Sequence, residues 1–172
     1  GQSAYGLGKD LDIPVNQAQD FIDAYFLRYP KVRKYIDTQI KKAEEEGFVT
    51  TLFGRRRYIS GINNKNMGIR QFAQRQAVNT PIQGTASDLI KLAMINISEQ
   101  IKVKGLEAKM ILQIHDELVF DLPVGELKIL AGLVKDKMEH VMKLDVPIKV
   151  DMKKGVNWLE MAVYPQGREE GR

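Results

Sequence analysis

Apolar residues recur at helical spacing through much of the chain, and the interruptions fall at proline and glycine. Between Pro14 and Arg28, Val15, Ala18, Phe21, Ile22, Tyr25 and Phe26 form one stripe, with Asp12 and Pro14 as start signals, which predicts an amphipathic helix. Pro30 ends it. A second begins almost at once, with Val32, Tyr35, Ile36, Ile40 and Ala43 on its apolar side and Gly47 as its stop, so the two make a helical hairpin. Phe48 to Phe53 loses the helical period and favours a strand. Gly54 permits a turn and Arg57-Tyr58-Ile59 can return, which predicts a short basic hairpin or hairpin-like loop. The polar run Ser60 to Asn66 reads as a loop.

A third helix is expected from about Met67 to Asn79 and a fourth from about Pro81 to Lys104, the latter with Ile82, Ala86, Leu89, Ile90, Ala93, Met94, Ile97 and Ile101 as its core stripe. Pro81 lacks an amide hydrogen, so a continuous helix would lose a bond there. A kink, or a fresh start with Thr80 as cap, is the expectation. Gly105 closes the long helix. Ala108 to Ile114 and Leu118 to Leu122 are rich in Ile, Leu, Val and Phe and read as the paired strands of a hairpin, with His115-Asp116-Glu117 at or beside the turn. After Pro123 a helix from about Val124 to Met142 turns Leu127, Leu130, Val134, Met138 and Val141 inward. Val146 to Met152 reads as a last strand, and the tail Gln166 to Arg172 as frayed. Helices and antiparallel hairpins in this order predict an α+β fold.

Composition narrows the class. With 172 residues, 44% of them hydrophobic, the chain can bury a core as one domain or two small ones. There is no cysteine, which excludes disulfides, thiolate catalysis and Cys-based zinc sites and fits an intracellular setting. No apolar run approaches the roughly 20 residues that span a membrane. No signal-peptide pattern opens the chain, so a soluble, cytoplasmic protein is the expectation. The first residue is Gly1 rather than Met, and Gly1 to Leu7 reads as the interior of something longer, so a fragment is expected.

The net charge of +4 is mild, but its distribution is not. From Gly47 to Ser87 there is no Asp or Glu, while Arg55, Arg56, Arg57, Lys65, Arg70 and Arg75 all fall inside. Such a block repels itself unless anions lie against it, and a phosphate backbone is a natural partner; a solvated face is the other reading. Arg75, Asn79 and Gln83 stand at i, i+4 and i+8, successive steps of about 40° round a helix, so they project from nearly one side. All three can donate to the minor-groove acceptors that every base pair presents, which checks groove shape without demanding a sequence. The same spacing also describes a polar, solvated helix face. A carboxylate on the tip of a rigid hairpin, as at Asp116, can hold a divalent cation against phosphate oxygens, or can simply favour the turn. Hydrolase chemistry finds little support: His115 has only His140 as a companion, no Walker-type loop is present, and Ser87 has no nucleophile-elbow context.

Four stretches together resemble the C-terminal part of family A DNA polymerases, the bacterial DNA polymerase I type. Gln113-Ile114-His115-Asp116-Glu117-Leu118-Val119 is similar to that family's last catalytic motif. Arg75-Gln76-Ala77-Val78-Asn79-Thr80-Pro81-Ile82-Gln83-Gly84-Thr85-Ala86-Ser87-Asp88 is similar to the helix that the family lays along the primer-template minor groove. Thr51 to Tyr58 resembles a fingers stretch, and Gly1 to Leu7 the segment beyond the nucleotide-binding helix. The resemblance runs from Gly1 to about Trp158. It implies residues 1–69 as a remainder of the fingers and 70–172 as a palm portion with a groove-reading helix and a catalytic hairpin.

The resemblance further implies nucleotidyl transfer with two Mg²⁺ ions, in which a primer 3′-hydroxyl attacks the α-phosphate of a deoxynucleoside triphosphate. Asp116 would ligate metal, Glu117 would be a secondary acid beside it, and His115 would touch the primer end. Arg75, Asn79 and Gln83 would read the minor groove, Ser3 would lie beside the template, and Arg55, Arg56 and Arg57 would lie near phosphates. The family's first catalytic motif and nucleotide-binding helix would precede Gly1. Primer-template DNA, deoxynucleoside triphosphates and the upstream part of the polymerase, in the same or a separate chain, are the implied partners, and this chain alone is expected not to polymerise. The competing reading is a non-catalytic nucleic-acid-binding module.

Overall fold

The computed structural model describes residues 2–165; Gly1 and the expected frayed tail, 166–172, lie outside the described residues. The fold is α+β, built of helices α1 (Ala4–Leu11), α2 (Val15–Arg28), α3 (Pro30–Glu46), α4 (Met67–Val103) and α5 (Leu127–Glu139) with short antiparallel hairpins between them. Two compact units divide the chain, Gly1–Thr85 and Ala86–Arg172. Among the described residues no helix is long and apolar enough to cross a membrane.

In the first unit, α1 is an element the apolar pattern does not announce. Ser3 caps it, its Oγ accepting from the Gly6 amide at 3.2 Å, and Asp12 closes it in the left-handed region at φ 53°. Helix α2 runs to Arg28, and α3 starts with Pro30 at its first turn, where a missing amide costs nothing. Gly47 ends α3 at φ 77° and turns the chain into β1 (Phe48–Thr50), which pairs with β2 (Arg56–Tyr58) through Phe48↔Tyr58, Val49↔Arg57 and Thr50↔Arg56. This is the expected basic hairpin, with strands shorter than Phe48 to Phe53 suggested. The core of the unit is Ala43, Val49, Ile59, Ile62, Ala73 and Ala77, so the first half of α4 is held by alanines that let the hairpin approach closely.

The predicted break near Pro81 does not separate two helices: α4 is continuous from Met67 to Val103 with the proline inside. Thr80 is no cap, since its Oγ1 is buried without a hydrogen-bond partner. The expected stripe also starts later than its periodicity suggests, for Ile82 is 64% exposed and Ala86 is exposed, whereas Ile90, Ala93, Ile97 and Ile101 are buried.

In the second unit, Ala93, Ile97 and Ile101 of α4 pack with Ala108, Leu130, Leu133 and Val134, and with Met110, Leu118 and Phe120 at the margin. Strands β3 (Lys109–Ile114) and β4 (Glu117–Asp121) form the second hairpin, with an irregularity between Met110 and Leu112. Glu126 fixes its start: its two carboxylate oxygens accept from the Glu107 amide at 2.9 Å and the Ala108 amide at 3.0 Å. Val146 to Met152 is not the strand its composition suggests. Pro147 has no amide to donate, the Val150 amide donates to Glu139 Oε1 at 3.0 Å, and regular pairing starts only past Met152, whose carbonyl accepts from the Tyr164 amide at 2.8 Å. The last hairpin instead joins β5 (Lys153–Lys154) to β6 (Ala162–Val163).

Candidate functional site

The β3–β4 connection is as short as a hairpin allows. Ile114 pairs with Glu117, leaving His115 and Asp116 as the two turn residues. A two-residue turn needs a positive φ at its first central position to match the twist of the strands, and glycine usually supplies it. Here His115 adopts φ 51°, a conformation that costs a side-chain-bearing residue about 1–2 kcal/mol. Gln113 helps to hold it, its Nε2 donating to the His115 carbonyl at 2.6 Å. The result lifts His115, Asp116 and Glu117 into solvent, all three exposed. The two carboxylates are hard oxygen donors of the kind Mg²⁺ takes. Among the described residues, however, no three His, Cys, Asp or Glu side chains gather into a group able to hold an ion. Donor chemistry fits the cation; donor number does not complete a site.

The second candidate lies in the other compact unit, on α4. Arg75, Asn79 and Gln83 are all exposed, and the Arg75 guanidinium lies 5.8 Å from the Phe72 ring centroid. Between and beside them the backbone of α4 accepts side-chain hydrogen bonds, from Tyr35 and Arg55 outside the helix and from Thr85 within it. The Tyr35 hydroxyl donates to the Val78 carbonyl at 2.9 Å. The Thr85 hydroxyl donates to the Pro81 carbonyl at 2.5 Å and accepts from the Leu52 amide at 3.0 Å. Arg55 Nη2 donates to the Gly84 carbonyl at 3.1 Å. Burial raises the Tyr35 phenol above the ordinary tyrosine range, so it stays protonated and a donor at any physiological pH.

The arginine triplet is thereby differentiated. Arg55 reaches back to α4, Arg56 stacks 4.6 Å from the Phe48 ring centroid, and Arg57 is exposed on β2. Ser3 is exposed with its Oγ engaged as the cap of α1. Sequence reading assigned Tyr35 only a place on the apolar side of a helix, and Thr51, Gly84 and Thr85 only places within longer motifs, with no contact role for any of them. A signal for them existed: a proline inside a helical pattern strips a donor from the carbonyl four residues earlier, so a compensating contact near residues 77–85 is to be sought.

A model of DNA polymerase family A matches residues 1–160. DNA polymerase I of Caldicellulosiruptor bescii is 47% identical over 160 residues, 93% of this chain and 19% of the relative. DNA polymerase I of Bacillus subtilis is 46% identical over the same length, covering 93% and 18%. The chain therefore spans about a fifth of the length of these relatives. Among solved structures, the POL domain of Pol1 from M. smegmatis, in complex with DNA primer-template and dNTP, superposes with a TM-score of 0.83 at 42% identity, over 87% of this chain and 26% of that one.

Proposed function

The chain belongs to DNA polymerase family A, and from that premise we propose that it forms the part of a template-directed DNA polymerase that carries the primer-end carboxylates and the groove-reading helix. The observation that carries this reading is the match over residues 1–160, which takes in both the exposed His115-Asp116-Glu117 turn and the exposed row of Arg75, Asn79 and Gln83. Residues 1–69 are assigned to the fingers and 70–172 to the palm.

In this reading Asp116 ligates metal, and Glu117 lends a second negative charge beside it. Mg²⁺, when bound, neutralises charge developing on the transferred phosphoryl group. Its other carboxylate ligand is assigned to the upstream part of the polymerase, which is why this chain by itself is proposed not to extend a primer. His115, held in a fixed backbone conformation, presents its ring to the primer end. Arg75, Asn79 and Gln83 donate to minor-groove acceptors, and Arg55 to Arg57 sit near phosphates with Ser3 beside the template. Primer-template DNA, deoxynucleoside triphosphates and the upstream part of the polymerase are the partners, and a cytoplasmic setting belongs to the same reading.

The test is made in the complete polymerase. Asp116→Asn keeps the side chain's size while removing its charge, and extension should fall by at least ~100-fold, the scale of losing one charge-stabilising group in a preorganised site. Binding of primer-template should persist. Unchanged extension would refute the assignment of Asp116, and binding with no extension in the parent protein would favour the non-catalytic binding module instead.

A further inference from the structure

The contacts around Pro81 are placed with a regularity that helix stability alone does not require. Pro81 removes the donor that the Ala77 carbonyl would otherwise receive, and this is where a helix bends. Tyr35 and Arg55 reach the Val78 and Gly84 carbonyls from outside α4, on either side of it, while Thr85, itself on α4, bonds the Pro81 carbonyl one turn back. The exposed groove-facing residues alternate with them: Asn79 follows Val78, and Gln83 precedes Gly84. Each group comes from a well-fixed place. Tyr35 stands on α3. Thr85 bridges the helix to the Leu52 amide of the β1–β2 loop, whose neighbour Thr51 is buried and receives the Arg55 amide on its Oγ1 at 3.3 Å. Gly84 lets the loop come this close, since a Cβ there would stand 2.7 Å from Thr51 Cγ2.

We propose that Tyr35 and Thr85 are positioning residues, which hold the proline turn of α4 in one geometry and so set the direction in which Asn79 and Gln83 point. The proposal rests on the groove-reading role assigned above and adds to it the residues that make the row rigid. A loose proline turn would let the row swing relative to its base-pair acceptors. The checking of groove shape would then be lost while the contacts to phosphate remained, because neither Tyr35 nor Thr85 meets the nucleic acid in this assignment.

The experiment uses the complete polymerase carrying Tyr35→Phe, Thr85→Val or Thr85→Ser, with Asn79→Ala for comparison. Single-nucleotide extension is timed from matched and from mispaired primer ends, and DNA affinity is titrated against salt. Tyr35→Phe and Thr85→Val should slow extension from matched ends ~10-fold, the scale of a misplacement of less than an ångström. They should also shrink the advantage of matched over mispaired ends in the same direction as Asn79→Ala, and leave the salt dependence unchanged. Thr85→Ser keeps the bridging hydroxyl and should restore both rate and discrimination. If Tyr35→Phe and Thr85→Val behave as the parent while Asn79→Ala does not, the positioning role is overturned and the groove reading stands. If matched and mispaired extension fall equally and Thr85→Ser fails to rescue, the contacts serve stability alone and the proposal is again overturned. If Asn79→Ala is itself silent, the groove reading has failed, and the positioning role falls with it.

Discussion

Two glycines in helices of this chain should answer the same substitution with opposite signs. In a helix interior, Gly→Ala gains about 1 kcal/mol from the smaller backbone entropy lost on folding. Gly132 on α5 is in open space, with nothing within 4 Å of the position a Cβ would take. Gly132→Ala should therefore stabilise by most of that amount. At Gly84 the new Cβ would stand 2.7 Å from Thr51 Cγ2 and 3.4 Å from Arg55 Nη2, inside any tolerable contact with the first. Thr51 cannot readily give way. Its amide donates to the Arg55 carbonyl at 3.0 Å, its carbonyl accepts from Gly54 at 3.0 Å, and its hydroxyl accepts from the Arg55 amide. Overpacking of a pinned site costs about 1–3 kcal/mol. Set against the helical gain, Gly84→Ala should destabilise by up to about 2 kcal/mol. Urea denaturation followed by far-ultraviolet circular dichroism measures both variants, with the slope checked for constancy. Thr51→Ser removes the offending methyl and keeps the hydroxyl, so in that background the Gly84→Ala penalty should vanish, a coupling of at least about 1 kcal/mol. If Gly84→Ala stabilises as Gly132→Ala does, the close packing of the hairpin on α4 is wrong.

Two further outcomes follow from the site geometry. His115→Gly should leave folding stability within about 1 kcal/mol of the parent, since relief of the positive φ offsets the extra freedom of glycine in the unfolded chain; primer extension by the complete polymerase should nonetheless fall, and a loss of stability well beyond that range would refute the turn assignment. Burial raises the Tyr35 phenol, so the folded state keeps that proton to higher pH than the unfolded state does. Its contribution is therefore fully present below the ordinary tyrosine value of about 10 and is lost as pH rises past it, and Tyr35→Phe should flatten that alkaline decline in denaturant titrations. An unchanged decline would place the effect elsewhere.

Local chemistry made much of this protein legible before any coordinates. The α2–α3 hairpin follows from the apolar period with Pro30 and Gly47 as punctuation, because those two residues act through their own backbone restrictions. The β3–β4 hairpin follows from two β-prone runs separated by a turn, and its two-residue loop places Asp116 at the tip without help from distant residues. That Arg75, Asn79 and Gln83 share one side of α4 follows from helix geometry alone. Even the DNA polymerase family was readable, because its motifs are contiguous in sequence.

What tertiary structure alone decided is whatever depended on partners far along the chain. Pro81 argued locally for a kink or a fresh start, yet α4 continues through it as one helix, and beside it the Tyr35 hydroxyl, 43 residues away, bonds the Val78 carbonyl while the Leu52 amide bonds the Thr85 hydroxyl 33 residues on. Val146 to Met152 has the composition of a strand but does not form one, and its Val150 amide donates to the Glu139 carboxylate. The buried limits of the α4 stripe were set by what packs on it: alanines meet the β1–β2 hairpin in one unit, and isoleucines meet α5 and β3–β4 in the other. A backbone preference is a property of a residue and its neighbours. The satisfaction of a stranded carbonyl or amide depends on which other part of the chain arrives there, and that is decided only when the chain is folded.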